Sequence, residues 1–213
     1  MSERAFDIEK RSFEIIDTEV GKHNYDQTQW TIVRRVVHAT ADFDFATGES
    51  KIIFHPGAIQ SSFAAMKNQC AVVSDVDMVL AAINKKSLAN LGLRPRCYIS
   101  DKSLAEQSRR TGRTRSELAM RHARGEINGG IVAIGNAPTA LFELIQMIRE
   151  GAAMPALVVG IPVGFVSAPE SKAELAKLDV PFITNSGRKG GSPAASSIIN
   201  ALMLLYQTTN LGS

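Results

Sequence analysis

From residue 70 onward, short apolar runs alternate with amphipathic stretches, and that alternation admits very few architectures. Cys70-Ala-Val-Val-Ser74 reads as a buried strand, with a helix expected from Val76 to Ala89. Arg96-Cys-Tyr-Ile-Ser100 and Ile131-Val-Ala-Ile-Gly135 read as second and third strands. Pro138 opens a helix that Gly151 closes, since proline fits a first helical turn and glycine the residues beyond the last. Ala156-Leu-Val-Val-Gly-Ile161 is a fourth strand, Ser167-x-x-Glu170 a capping box for the next helix, and Phe182-Ile-Thr184 a fifth strand. Continuously apolar strands, each followed by a helix, predict a five-stranded parallel sheet covered on both faces. Ligands of such sheets sit beyond the carboxyl ends of the strands. The loops of interest therefore begin at Asp75, Asp101, Gly135, Pro162 and Asn185.

Residues 1–68 read differently. Ile8–Val20 and Asp26–Thr40 carry helical spacing, and Pro56 begins a further helix to Asn68, so this part is expected to be a helical extension on a 69–213 parallel α/β core. With 213 residues, 45% of them apolar, the chain suits one domain with a full core. A net charge of +3, with no basic tail or interleaved aromatic pattern, gives no footprint for nucleic acid. Cys70 and Cys97 lie far apart in apolar runs and read as buried thiols of a reducing compartment. The charged start MSERAFDIEKRS is unlike a secretory signal, and no apolar run is long enough to span a membrane, so a cytoplasmic location is expected.

The strongest chemical signal is Pro181–Ser197, where an apolar strand runs into Gly187-Arg-Lys-Gly-Gly191 and Ser192-Pro193 then opens a helix. The free N–H groups and positive dipole end of that helix face the same place as two cations on a glycine loop, an arrangement suited to an anion. A tight turn bearing two solvated cations is the plainer alternative. Six arginines crowd residues 109–124, mostly as a solvated face, but the capping box Thr114-x-x-Glu117 fixes Arg115 in the first turn of a helix. His38 ends the helical run from Trp30, at the seam between its apolar and polar sides. It is either a structural histidine or, aided by the helix C-terminus, a general acid near neutral pH. Asp75 and Asp77 could bind a metal, but Asp75 is expected simply to cap the following helix. The glycines match neither phosphate fingerprint, and no acidic residue stands about 20 positions after Gly135 to hold a ribose, which argues against a dinucleotide.

Taken in order, Arg34-Arg-Val-Val-His-Ala-Thr40, Val73-Ser-Asp-Val-Asp-Met-Val79, Thr114-Arg-Ser116, Gly135-Asn-Ala-Pro-Thr-Ala-Leu141, Pro155–Val166, Glu170-Ser-Lys172 and Gly187-Arg-Lys-Gly-Gly-Ser192 span nearly the whole chain. Together they resemble the precorrin-8X methylmutase family, or precorrin isomerases, of cobalamin biosynthesis. Ala41 departs from the glycine that many members carry there. The resemblance implies a flavodoxin-like α/β/α sandwich, a homodimer, and migration of a methyl group from C-11 to C-12 of a tetrapyrrole polycarboxylate. It implies no cofactor and no protein-bound metal. The family's catalytic histidine falls on His38, and its substrate contacts fall on Ser12, Arg115 and Lys189. Thr114, Asn136, Arg188, Gly191 and Ser192, from the matched motifs, complete the expected substrate-binding set.

Two rivals share parts of the pattern. A phosphate-regulated receiver-type module would use Asp75, Asp77 and Lys189, but would need an aspartate after the third strand, where Asn136 stands. A sugar-phosphate isomerase or transferase would need a second acid or base near Lys189, and none is evident.

Overall fold

The structure, a computed structural model, describes residues 3–210. Six strands form one sheet: β1 (Ile52–Phe54), β2 (Ala71–Ser74), β3 (Arg94–Cys97), β4 (Ile131–Ile134), β5 (Leu157–Gly160) and β6 (Phe182–Asn185), in the order β1-β6-β5-β4-β2-β3. β2 to β6 are all parallel, and their relative order is that of doubly wound flavodoxin-like sheets. The chain reverses its winding between β2 and β4, which makes the carboxyl ends of those two strands the natural crevice.

The sixth strand was not foreseen. Residues expected to be a purely helical extension also supply β1, which pairs antiparallel with β6 (Ile52 opposite Asn185, Phe54 opposite Ile183). Three residues are too few for a periodicity to register, so the pairing rests on tertiary context. Tyr25 covers the open edge of β1 and donates its hydroxyl to the Ile52 carbonyl at 3.1 Å; burial pushes that phenol up to about 12.

Alternate residues of each central strand enter opposite cores. Val72, Ile131, Leu157, Val159 and Ile183 pack beneath α2 (Gln27–Thr40), α3 (Ala58–Lys67) and α11 (Ser192–Asn210). Val73, Val132, Ile134 and Val158 pack beneath α7 (Arg115–His122), α8 (Arg124–Ile127), α9 (Pro138–Arg149) and α10 (Ala168–Leu175). These strand residues are essentially free of solvent, worth about 1.5–3 kcal/mol for each large apolar side chain. α1 (Glu3–Val20) lies against α2.

Several boundaries shift. The helix expected over 76–89 is two: α4 (Asp77–Ala82) and α5 (Lys85–Asn90), split where the Asn84 side chain accepts the Ser87 N–H and caps the second. The second strand begins and ends earlier than expected, at Arg94–Cys97, because Leu93 closes the turn after α5 and register with β2 starts at Arg94. Tyr98-Ile-Ser100 then forms the exit turn that precedes α6 (Lys102–Thr111). Ser167 makes no capping box: its backbone is left-handed (φ 66°), which turns its side chain away from the first amides of α10. Cys70 is buried, with its thiol pushed up to about 11, while Cys97 is only half-buried.

α2 starts as expected, with Asp26 accepting the N–H groups of Thr28 and Gln29 at 2.8 Å in a capping box. It stops at Ala41, a left-handed residue (φ 53°) whose N–H bonds to the Val37 carbonyl. A left-handed alanine is strained where glycine is not. Ala41→Gly should raise stability by about 1 kcal/mol, read from the shift in urea midpoint at constant slope; an unchanged or lower midpoint would refute the strain.

Candidate active site

Four loops converge at the carboxyl edge of the sheet. Asp75, one residue past β2, is fully buried and accepts three backbone N–H groups of the turn after β4: Gly135 at 3.1 Å, Asn136 at 2.8 Å and Ala137 at 2.6 Å. Burial raises its pKa, opposed by the three amides that favour the charged form. Asp75 is therefore no cap for α4, whose N-cap is Val76, because its side chain points across the switch point rather than along its own chain. Asp77 binds the Ser100 hydroxyl at 2.7 Å instead. Among the described residues, no three His, Cys, Asp or Glu side chains are grouped to hold a metal ion.

Two glycines permit the convergence. A Cβ on Gly135 would lie 2.9 Å from the Ser192 backbone, so the turn after β4 touches the start of α11. A Cβ on Gly190 would lie 2.2 Å from the Ile161 carbonyl, so the glycine loop lies directly on the loop after β5. Gly191 donates to that same carbonyl at 2.9 Å, and Gly164 donates to the Arg188 carbonyl at 3.0 Å. α11 begins at the buried Ser192, as expected, with its N-terminus in the mouth.

The expected site residues lie around this edge in two groups. On one side, Lys189 reaches across to the turn after α2 and meets Asp42 at 2.7 Å and Asp44 at 2.6 Å. That brings the C-terminal end of α2 to the glycine loop, and His38 stands only four residues before Asp42. His38 is exposed, its ring packed on Phe13 of α1 at 5.2 Å between centroids. Ser12, next to Phe13, donates its hydroxyl to the Ile8 carbonyl within α1.

On the other side, Thr114 caps α7 and accepts the Glu117 N–H, as expected. The Ser116 hydroxyl meets that of Thr139, in the first turn of α9, at 2.7 Å. The buried Glu143 of α9 takes Arg113 at 3.2 Å and also pairs with Arg121. These contacts tie Arg115 to the helix that starts just past Asn136; Arg115 and Asn136 themselves are exposed. Arg188 is exposed too, its guanidinium 5.4 Å from the ring centre of Phe165, a largely exposed aromatic of the loop after β5. Among the described residues no hydrogen bond or ion pair joins His38, Arg115 and Lys189 to one another.

Sequence reasoning had not assigned roles to three residues here. Glu143 and Asp42 are ordinary acidic residues in the sequence, given a role only by partners far along the chain. Lys172 is a fully buried lysine whose only sign was its place in the Glu170-Ser-Lys172 motif.

Residues 7–205 match the family model for precorrin-8X methylmutase. The chain belongs to the precorrin-8X methylmutase family. It is 51% identical to the cobalt-precorrin-8 methylmutase of Priestia megaterium, covering 93% of this chain and 87% of that one. It is 45% identical to that of Leptospira interrogans, with 93% and 92% covered. A crystal structure of precorrin-8X methylmutase from Thermus thermophilus superposes with a TM-score of 0.87 at 36% identity, covering 95% of this chain and 96% of the other. The chain is thus an isomerase, a methylmutase of cobalamin biosynthesis, and the receiver-type reading has no support.

Asp75 is the test of how this edge is assembled. Asp75→Asn keeps the shape but turns an amide donor toward N–H groups, and should cost about 2 kcal/mol in urea unfolding. A loss under about 0.5 kcal/mol would mean that the three bonds do not hold the edge together.

Proposed function

We propose that the strand-end mouth binds the carboxylate-rimmed macrocycle of cobalt-precorrin-8 and that His38 is the general acid of its methyl shift. The observation that carries this reading is the Lys189 bridge to Asp42 and Asp44, which brings the helix end bearing His38 to the glycine loop. A flat macrocycle edged with acetate and propionate groups needs cations and N–H donors at its rim and an apolar surface against its face. Arg115, Arg188, Lys189 and the amides around Gly190–Ser192 provide the first, with Ser12, Thr114 and Asn136 as neutral polar contacts. Phe165, Val163 and Val166, all exposed in the loop after β5, provide the second.

In this mechanism protonated His38 donates to a ring C nitrogen and draws electron density from the conjugated system. The C-11 to methyl bond breaks as the C-12 to methyl bond forms, and the proton then returns to His38. Substrate and product are isomers, so no oxidant, reductant or second substrate takes part. General acid catalysis contributes about 10²–10⁴-fold, and the holding of the ring geometry supplies the rest. Cobalt, in this reading, travels in the macrocycle; relatives at 51% and 45% identity are named for cobalt-precorrin-8, whereas one from Sinorhizobium at 36% is named for precorrin-8X. The family resemblance also carries a homodimer and a cytoplasmic location. The exposed Phe6, Ile8 and Ile15 of α1 support the former, and no helix among the described residues is long and apolar enough to cross a membrane.

His38→Ala should bind cobyrinic acid within about threefold of the parent while turnover, followed by the visible absorption change, falls about 10²–10⁴-fold. Retained turnover would remove His38 from its role, and lost binding would make it a ligand contact instead.

A further inference from the structure

Lys172 is the one lysine of the chain placed where a lysine is costly. It is 1% exposed, on α10, beneath the glycine loop. Its ammonium donates to the Asn185 side-chain oxygen at 3.1 Å and to the Lys189 carbonyl at 2.7 Å. The Asn185 amide also donates to the Lys189 carbonyl at 2.9 Å. Both acceptors are neutral, no carboxylate lies within ion-pair distance among the described residues, and the third N–H of the ammonium has no partner there. Desolvation pulls the group from the ordinary lysine range down to about 8. A buried cation without a counter-charge carries a desolvation cost that only a matching anion offsets.

Beside it lies a pocket of about 260 Å³, bounded by Ile53 of β1, Lys172 and Ala173 of α10, and Asn185, Ser186 and Gly187 where β6 enters the glycine loop. It is far too small for a macrocycle and roomy for an acetate or propionate arm. The Lys189 carbonyl is drawn inward by Lys172 and Asn185, so the N–H of the same trans peptide, that of Gly190, points the opposite way. Gly190 N–H has no acceptor among the described residues.

We propose that this pocket is a subsite for one carboxylate arm of the substrate macrocycle and that the Lys172 ammonium is its counter-charge. The inference rests on the corrinoid reading above and adds to it a specific place. Binding of the arm matches a charge that the unliganded chain carries unmatched, and it holds the glycine loop in the form that aims Gly190 outward. Lys172 is thus both a contact for the arm and a positioning residue for the loop.

Surrounding charges are matched elsewhere. Lys189 is held by Asp42 and Asp44, and Glu174 of α10 is held by Arg149 of α9 and by Lys177. Glu143 of α9 is held by Arg113 and Arg121, while Arg188 is exposed over Phe165. Glu170 is exposed, two residues away on a different face of α10. β1 and β6 bring only Ile53, Thr184 and Asn185 to the pocket.

The sign of the pH effect follows. An anion in the pocket favours charged Lys172, so below about pH 8 the arm binds a cation already formed. Above it, binding must also take up a proton and therefore weakens. The test is an absorbance titration of the whole protein with cobyrinic acid between pH 6.5 and 9.5. For the parent, Kd should be flat to about pH 8 and then rise several-fold. Lys172→Met should raise Kd at least tenfold at pH 7 and abolish the pH step. Lys172→Arg, charged throughout, should recover part of the affinity without the step. Ala173→Leu fills the pocket from the exposed side of α10, leaves Lys172 in place, and should also raise Kd at least tenfold. Parent-like affinity in Ala173→Leu, or an unaltered pH step in Lys172→Met, overturns the subsite. Failure of the parent to bind cobyrinic acid at any pH overturns the corrinoid reading itself, and the subsite with it.

Discussion

A single buried carboxylate organises the functional edge of this molecule. Among the described residues Asp75 has no cationic partner; three amides of another loop take that place, each such charge-assisted bond contributing about 1.5–3 kcal/mol. In meeting its own need for donors, Asp75 fixes the turn after β4, and Gly135 in that turn rests against the backbone of Ser192. The start of α11 is thereby set, and Gly190 and Gly191 close the circuit on Ile161. Four strand ends thus share one arrangement of N–H groups, fixed before any ligand arrives.

Around that rigid centre the cations fall into two kinds. Arg113 and Arg121 are structural, spent on the buried Glu143. Lys189 is matched as well, but its side chain is 44% exposed and its carboxylate partners are partly exposed. Exposed pairs of this sort are weak, and an ammonium has three N–H donors, so Lys189 can hold Asp42 and Asp44 and still offer a donor to a ligand carboxylate. Arg115 and Arg188 are exposed without a carboxylate partner among the described residues. A polyanion therefore meets cations either free already or lightly held, which suits tight capture without strain in the empty site.

Much of this was legible in the residues. Four of the five parallel strands could be read because each is a short, mainly apolar run, whereas β3, Arg94-Pro-Arg-Cys97, is mostly polar and exposed and so was placed two residues late. The cap at Thr114 announced itself through a side chain that bonds its own helix. What escaped detection was non-local. β1 is a strand only because β6 and Tyr25 hold it, and the break at Asn84 needed knowledge of which cap would win. Ser167 has the letters of a capping box, yet adopts a left-handed backbone set by the loop before it. Asp75 looked like a cap because its partners lie about sixty residues away, and nothing in the spacing around Lys172 marked it as buried. The ordered series of motifs, rather than any one of them, identified the family.

The central claim is geometric: the macrocycle lies across the carboxyl ends of the strands with the imidazole of residue 38 against ring C. A crystal structure of the protein with cobyrinic acid bound tests it most directly. The account predicts the ring system over the Gly135 and Gly190 turns, with a nitrogen of the His38 side chain within hydrogen-bonding distance of the ring C nitrogen. Product bound elsewhere, or a His38 turned away from the macrocycle in every subunit that contacts it, would contradict the account.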